Sequence, residues 1–329
     1  MKLKALFTSA VVAAAALTAT LPAHAAEKVR IGYWSSGVSL GLGAVLEASP
    51  FLKNQGLEVE FVKFPDVNAP LRALASNSID LAFGAPAAGV FSAASDGVPI
   101  KVFAATQPAD VQFVVPEGSP IKTLADLKGK KVGMSPAGSS VAVIAGTVLA
   151  GNAGIKANDF SLVGGNESRL AQFLVQKQVD AAALRSVTVA QLDELKVTRI
   201  GTFAEEWQKL TKTDAVPYIG IGAVRSEFVA QHPDTVAKVI AGLRQTLAWG
   251  DTHRDEVVSI LQKSANLPEK DAKVYVSLWN DMNRVSFEPA DIATLKLQHK
   301  AFVESGAIKG DISDDLFVTG PYTAAKSIK

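Results

Sequence analysis

The chain lacks cysteine altogether. This absence excludes disulfide bonds and thiolate metal sites, so a chain of this size must be stabilised by burial alone. No two of its four histidines lie four residues apart, which removes the common helix-borne zinc pattern as well. We therefore expect no metal site and no bound cofactor, and a core divided between two compact units.

A large net charge of either sign is also missing. The sequence has 33 basic and 32 acidic residues, and the lysines and arginines are scattered along it. This distribution gives no long-range field and no basic patch for a polyanion. Nucleic acid is therefore not expected as a partner.

Catalytic patterns are equally scarce. Apart from His24, the histidines are His232, His253 and His299, which fall in a predicted helical tail, and no Gly-x-Ser-x-Gly turn is present. A Ser-His-Asp hydrolase is therefore not predicted. The Gly-Leu-Gly segment at 41–43 begins like a dinucleotide-binding fingerprint but lacks the third glycine, so we interpret it as helix packing. We predict that the protein is not an enzyme.

The start of the chain does carry a pattern, that of a secretory signal. Lys2 and Lys4 are followed by an apolar stretch over 5–21 and by a small-x-small cleavage site, Ala-His-Ala, at 23–25. We predict that residues 1–25 are removed and that the mature protein lies in the periplasm. Because no later run of 18 apolar residues and no lipid-accepting cysteine follows, no membrane anchor is expected.

Beyond the signal, short β-branched runs alternate with helical periodicity, which is typical of a largely parallel α/β sheet. The first lobe is predicted to contain strands at 29–33, 57–63, 79–83 and 100–105, with helices at 39–53, 69–77 and 86–95. The second lobe is predicted to contain strands at 112–116, 131–135, 160–163, 181–184 and 198–201, with helices near 139–150, 166–176 and 187–195.

An extended segment at 217–224 follows, and the remainder is predicted to be mostly helical, with helices at about 226–263, 269–280 and 289–305. Because this tail has too few strands to form a unit of its own, we expect it to pack on the first lobe. The predicted division is residues 26–111 and 225–329 for lobe 1 and residues 112–224 for lobe 2.

Four segments carry a resemblance to a known family: VRIGYW at 29–34, NSIDLAFG at 77–84, LADLKGKKVG at 124–133 and QVDAA at 178–182. The run DLKGKKV is the most specific of them. Through these segments the chain resembles, over essentially its whole mature length, the solute-binding proteins of nitrate, sulfonate and taurine importers, together with their thiamin-pyrimidine-binding relatives.

The resemblance implies a two-lobed periplasmic-binding-protein fold of type II. In such proteins two crossover segments join doubly wound α/β lobes, and the lobes close on a ligand held in the cleft between them. It also implies delivery to a membrane permease with a cytoplasmic ATPase, and we expect a monomer. One enzymatic branch of the superfamily is tied to cysteine-containing motifs, from which this cysteine-free sequence departs.

Candidate site residues follow from the geometry of open α/β sheets, in which ligands bind beyond the carboxyl ends of strands and helix N-termini favour anions. The strongest candidate loop ends in Gly138, Ser139 and Ser140. The glycine permits close approach of a ligand, and a serine offers a hydroxyl and an N–H. Ser139 alternatively caps only its own helix.

Two loops of the first lobe are predicted to line the same cleft. Trp34, Ser36 and Gly37 follow the first strand, and Ala85 and Ala87 follow the third. The small residues leave room for a ligand and for backbone donors. The Trp34 ring offers an apolar wall, although a tryptophan beside a strand end is as readily part of the core.

Three polar residues are weaker candidates. Gln107 follows the fourth strand and either orients a ligand oxygen or belongs to a turn. Asn166 caps a helix, with or without facing the cleft. Tyr218 lies on the second crossing, where its phenol is expected to reach the ligand after closure.

Arg185 is the charged candidate, because it ends the buried strand at 181–184. A planar guanidinium there can clamp a sulfonate or a carboxylate with two parallel hydrogen bonds. The alternatives are a solvated arginine or a partner of Asp193 or Glu194.

The expected ligand is a small organic sulfonate or carboxylate, because the small and apolar loop residues favour an organic body. Nitrate and a neutral pyrimidine precursor of thiamin stay open as alternatives. A soluble sensor that presents its ligand state to a membrane receptor would need the same cleft.

Overall fold

The computed structural model describes residues 27–192 and 195–328. The predicted signal peptide and its cleavage site lie outside the described residues, and so do Asp193 and Glu194. Across these two ranges no helix is both long enough and apolar enough to cross a membrane.

Ten strands form two five-stranded sheets in the described part of the chain. The first sheet has the spatial order β2-β1-β3-β10-β4 and contains β1 (Glu27–Trp34), β2 (Leu57–Phe64), β3 (Leu81–Pro86), β4 (Ile100–Pro108) and β10 (Tyr218–Arg225). The second has the order β7-β6-β8-β5-β9 and contains β5 (Val111–Pro116), β6 (Lys131–Met134), β7 (Ser161–Gly164), β8 (Ala181–Arg185) and β9 (Val197–Thr202).

The two sheets repeat one plan. In the first, β1 pairs in parallel with β2 and β3, whereas β10 is antiparallel to both of its neighbours. In the second, β6 pairs in parallel with β7 and β8, whereas β5 is the antiparallel strand. The inner strands β3 and β8 are buried along their whole length, as strands covered on both faces must be. This confirms the predicted two-lobed α/β fold.

Fifteen α-helices are present in the described residues. They are α1 (Gly37–Ala48), α2 (Phe51–Asn54), α3 (Ala69–Ala75), α4 (Ala87–Ser95), α5 (Ser140–Ala153), α6 (Glu167–Val175), α7 (Ser186–Ala190), α8 (Phe203–Thr211), α9 (Ser226–Gln231), α10 (Pro233–Thr252), α11 (Arg254–Ala265), α12 (Glu269–Ser277), α13 (Trp279–Met282), α14 (Pro289–Glu304) and α15 (Gly320–Ala325). Helices α8 and α15 were not predicted.

The chain crosses between the sheets twice, after β4 and before β10. The two crossovers touch, because the Ala109 N–H donates to the Pro217 carbonyl over 2.8 Å. Strand β10 pairs within the first sheet although most of its residues fall in the predicted second lobe, since it inserts between β3 and β4. The predicted division of the chain at 111/112 and 224/225 stays a prediction.

The helical tail packs on the first lobe, as predicted. The Tyr275 hydroxyl of α12 donates to the Val38 carbonyl of α1 over 2.6 Å. A Cβ atom on Gly41 would lie 2.1 Å from the Tyr275 ring, and one on Gly43 would lie 2.3 Å from the Tyr33 ring. The glycines of segment 41–43 therefore permit close helix packing, which confirms that interpretation.

The lobes also meet through aromatic side chains. Trp207 of α8 and Phe302 of α14 are both fully buried, with ring centroids 6.1 Å apart and an interplanar angle of 74°. Phe91 of α4 packs against Phe302 as well. This apolar contact joins a helix that follows the second sheet to helices that cover the first.

Candidate ligand site between the lobes

Loops at the carboxyl ends of strands from both sheets face one another. The Ala88 N–H at the start of α4 donates to the Ser140 Oγ at the start of α5 over 3.1 Å. A Cβ atom on Gly37 of α1 would lie 3.8 Å from Glu167 Cγ of α6. The helix N-termini that follow β1, β3, β6 and β7 therefore meet across the cleft, with the lobes closed on each other.

The two serine hydroxyls of the loop at 136–140 accept different hydrogen bonds. Ser139 is buried and accepts a hydrogen bond from the Ala142 N–H over 3.2 Å, which is the capping alternative. Ser140 is also buried and instead accepts across the cleft. Gly138 has φ +81°, which a glycine adopts without strain. Their contact with a ligand stays a prediction.

Arg185 is the last residue of β8 in the second lobe. Its side chain is only 5% exposed, which excludes the solvated alternative. The Nε and Nη2 atoms are buried and have no hydrogen-bond partner among the described residues. Burial lowers the pKa of the guanidinium, and the nearby Asp110 and Glu167 act in the opposite direction. An arginine nevertheless stays charged.

The two unpaired atoms occupy the same edge of the guanidinium. Nε–H and one N–H of Nη2 point in parallel, and this edge forms the two-bond fork that binds a carboxylate or sulfonate. Leaving buried charged donors unpaired is costly, because they lose water without gaining a partner. The geometry of Arg185 is therefore suited to an oxyanion.

Glu167 is a neighbour that sequence reasoning missed. It is the first residue of α6 and is buried. Its Oε2 accepts from the Thr188 hydroxyl over 2.7 Å and from the backbone N–H of Arg185 over 3.4 Å. Burial raises the pKa of this carboxyl, and the hydrogen bond from Thr188 partly offsets that rise. The preceding Asn166 is exposed and caps α6 by accepting from the Arg169 N–H over 3.0 Å.

Asp110 is the second missed residue, and it lies on the first crossover. Its Oδ1 accepts from the Ser186 hydroxyl, and its Oδ2 is buried without a partner among the described residues. Because Val111 pairs with Arg185 in the β5–β8 register, Asp110 is held beside the end of β8. Only the proline-containing segment before it could have indicated a crossover.

On the first lobe, Gln107 belongs to a tightly packed polar group. Its Nε2 donates to Ser39 Oγ over 2.9 Å, and both side chains are buried. Gly84 has φ +66°, and a Cβ atom there would lie 2.7 Å from Ser39 Oγ and 2.9 Å from Gln107 Nε2. Glycine is thus required where β3 passes this group.

The other first-lobe candidates differ in burial, and their contact with a ligand stays a prediction. Ala85 and Ala87 are fully buried. Trp34 is half-buried, its indole N–H donates to the Pro65 carbonyl over 3.3 Å, and its ring would lie 3.2 Å from a Cβ atom on Gly37. Ser36 precedes α1 but makes no capping hydrogen bond with its side chain.

Tyr218 is hydrogen-bonded to residues of the helical tail. Its hydroxyl donates to Asp291 Oδ1 over 2.6 Å and accepts from Arg284 Nη1 over 3.1 Å. Burial, together with the bond to Asp291, raises the pKa of the phenol to about 12. Its predicted contact with a ligand stays a prediction.

Comparison with known proteins places the chain in a family. Residues 46–256 match the family described as NMT1/THI5 like. The chain belongs to that family. The match confirms the resemblance seen in the sequence.

A relative from Brucella abortus, provisionally named a binding protein, is 25% identical over 304 residues, covering 91% of this chain and 92% of that protein. A Haemophilus influenzae relative, provisionally named a thiamine biosynthesis protein, is 27% identical and covers 84% of this chain and 93% of its own.

Solved structures share the fold at low sequence identity. The alkanesulfonate-binding protein SsuA from Xanthomonas axonopodis pv. citri, bound to MOPS, has a TM-score of 0.72 at 21% identity, covering 89% of this chain and 98% of its own. A Candida albicans protein with the generic periplasmic binding protein fold has a TM-score of 0.64 at 18% identity, with coverages of 91% and 95%. The desulfurization enzyme DSZB has a TM-score of 0.62 at 13% identity, with coverages of 92% and 100%.

Proposed function

We propose that this protein is the periplasmic substrate-binding component of an ABC importer. It captures a small organic anion, a sulfonate or a carboxylate, by closure of its two lobes. The observation that carries this proposal is the buried Arg185, whose Nε and Nη2 edge has no hydrogen-bond partner within 27–192 or 195–328. A ligand oxyanion at that edge would supply two charge-assisted hydrogen bonds.

In such a protein, closure of the lobes changes the surface that is presented to the importer. A ligand that touches both lobes favours the closed state by its differential affinity, and the Ala88–Ser140 hydrogen bond forms only when the lobes meet. The partners would be a membrane permease with a cytoplasmic ATPase. We propose export through the signal at 1–25 and action as a monomer.

A binding role is favoured over catalysis. His299 is buried against Phe91 in an edge-on contact, and His232 and His253 lie at ends of tail helices. None of them adjoins Arg185 or Ser140. No cluster of metal-ligating side chains occurs within 27–192 or 195–328.

The first experiment is a thermal-shift screen of the protein stripped of co-purified ligand, against sulfonates, carboxylates, nitrate and thiamin pyrimidines. A ligand at 100 times its Kd stabilises the fold by about 2.7 kcal/mol. We expect a shift with sulfonates or carboxylates. A shift with the neutral pyrimidine alone would contradict the anion assignment, since that ligand cannot neutralise the Arg185 edge.

Arg185→Gln tests the residue itself. Loss of two charge-assisted hydrogen bonds should weaken binding of the anion found in the screen by about 1.5 to 3 kcal/mol, measured by calorimetry. Arg199→Gln is the matched control, because that arginine lies in the same sheet with its side chain 57% exposed. Equal affinity losses in the two variants would remove Arg185 from the site.

A further inference from the structure

The amino ends of the parallel strands β6, β7 and β8 lie at the edge of the second sheet that is opposite to the cleft. The Lys130 carbonyl accepts from the Ser161 N–H over 2.8 Å, and the Lys131 carbonyl accepts from the Asp180 N–H over 2.8 Å, which joins the three strand starts. Lysines that are scattered along the sequence are gathered at this edge. They form a lysine cluster that consists of Lys122, Lys128, Lys130, Lys131, Lys156 and Lys177.

The side chains of the lysine cluster are accessible to solvent, since five are exposed and Lys130 is half-buried. None of the six forms an ion pair within 27–192 or 195–328. Three aspartates lie among them, but their carboxylates accept hydrogen bonds from backbone N–H groups: Asp126 from Lys122 and Thr123, Asp159 from Lys156, and Asp180 from Lys131. Six lysines against three aspartates leave this end of the lobe positively charged.

The corresponding end of the first lobe is built differently. Lys28 pairs with Glu58 over 3.7 Å, and Arg30 and Arg225 both pair with Asp80, over 2.7 and 2.9 Å. The basic groups there are neutralised by the same lobe. Because both lobes use one sheet plan, the fold itself does not require a cluster of lysines without ion pairs.

The chemistry of the lysine cluster fits an extended negative surface. Lysine ammonium groups are flexible, strongly hydrated point charges, and they lack the fork with which arginine fixes a single phosphate. Several of them side by side are attracted to anionic lipid headgroups, and each adds to the attraction. Leu162 adjoins the cluster, because it follows the residue that pairs with Lys131, and it is 36% exposed. Basic residues beside an exposed apolar side chain are suited to a membrane interface.

We propose that the lysine cluster is a membrane-binding surface, through which the protein associates reversibly with anionic phospholipid headgroups. This inference goes beyond the proposed function. It is independent of the ligand in the cleft, because the cluster and Arg185 lie at opposite edges of the second sheet. Association would keep the protein close to the membrane in which a permease would lie.

The test is co-sedimentation of the mature protein with phospholipid vesicles. The signal predicted at 1–25 is left out, because its apolar stretch would bind lipid by itself. We expect binding to vesicles of phosphatidylglycerol and phosphatidylcholine in about equal parts, and none to phosphatidylcholine alone. Raising the salt concentration from about 20 to about 500 mM should weaken the binding at least about tenfold, since salt screens exposed charges.

A triple variant assigns the binding to the cluster: Lys122→Gln, Lys128→Gln and Lys156→Gln. Loss of three lysines should lower the partition coefficient about a hundredfold. The matched control removes three exposed lysines that lie outside the cluster, by Lys53→Gln, Lys263→Gln and Lys309→Gln. It changes the net charge equally and should retain binding to within about threefold.

The outcomes separate this inference from the proposed function. Both triple variants should unfold at the temperature of the wild type, because all six side chains are exposed. Equal losses in the two variants, equal binding to neutral vesicles, or no binding to anionic vesicles at low salt would each overturn the membrane-binding surface. None of these results bears on ligand capture, which the thermal-shift screen measures without lipid.

Discussion

The two lobes treat their polar groups at the cleft differently. In the first lobe, Gln107 Nε2 donates to Ser39 and the Tyr275 hydroxyl donates to Val38. In the second lobe and its crossover, Arg185 and Asp110 keep buried atoms that have no hydrogen-bond partner in the part of the chain that the structure describes. The comparison indicates that internal contacts fix these first-lobe groups, whereas the unpaired atoms of Arg185 and Asp110 are charged and suited to a ligand. Asn68 Oδ1 of the first lobe is also buried without a partner among the described residues, but it is uncharged.

The largest effect should come from disturbing the packed first-lobe group of Ser39, Gly84 and Gln107. Gly84→Ala would force a Cβ atom to within 2.7 Å of Ser39 Oγ at φ +66°. Combined strain and overpacking should lower the free energy of unfolding by about 2 to 4 kcal/mol, measured by denaturant titration. Gly146→Ala in α5 is the control, since no atom lies within 4 Å of its added Cβ. It should stabilise the protein by about 0.5 to 1 kcal/mol.

A smaller effect should follow from removing the contact between the lobes. Ser140→Ala leaves the Ala88 N–H without its acceptor in the closed state. Because an unpaired buried donor costs about 1 to 3 kcal/mol, ligand affinity in calorimetry should fall roughly tenfold. Ser259→Ala, on the exposed face of α11, should leave affinity unchanged. An unaltered affinity in Ser140→Ala would mean that closure does not depend on this bond.

The smallest expected effect is a pH dependence of the free energy of unfolding, which arises from Glu167 in the second lobe. Burial raises the pKa of Glu167 above its ordinary value of 4.5, so the folded protein retains a proton that the unfolded chain loses. Its contribution to stability is thus complete below pH 4.5 and is lost as pH rises through the folded-state pKa. One proton limits the slope to about 1.4 kcal/mol per pH unit.

Glu167→Gln isolates this contribution, because the amide oxygen can still accept from Thr188. Unfolding titrations between pH 4 and 8 should show the wild type losing stability relative to the variant as pH increases. A difference that stays constant over this range would mean that the carboxyl is ionised in the folded protein.

Most of the fold was predictable because each strand is a local pattern. All ten strands were predicted within two or three residues at each end. Helix α8 was missed although Thr202 and Glu205 form a capping box at its start, a short-range signal that was overlooked. The tail was predicted as one helix over 226–263 but is broken at His232, where the following Pro233 disfavours helical backbone.

The site was less predictable, because burial and pairing are decided by tertiary contacts. Arg185 could be placed from its position after a buried strand. The roles of Glu167 and Asp110 depend on Thr188, Ser186 and the facing lobe, which no local pattern reports. The internal contacts of Tyr218 could not be predicted for the same reason, since its partners lie more than 60 residues away in the chain.

The hydrogen bond between the two crossovers has a mechanical consequence. Two independent linkers would act as a loose tether, about which the lobes could twist, slide and bend. Because Ala109 is bonded to Pro217, the linkers behave as one narrow strip that bends in one direction far more easily than it twists. The lobes should then open and close by rotation about a single axis along this strip. Little orientational entropy remains to be lost on closing, so more of the ligand's contact energy is retained as affinity.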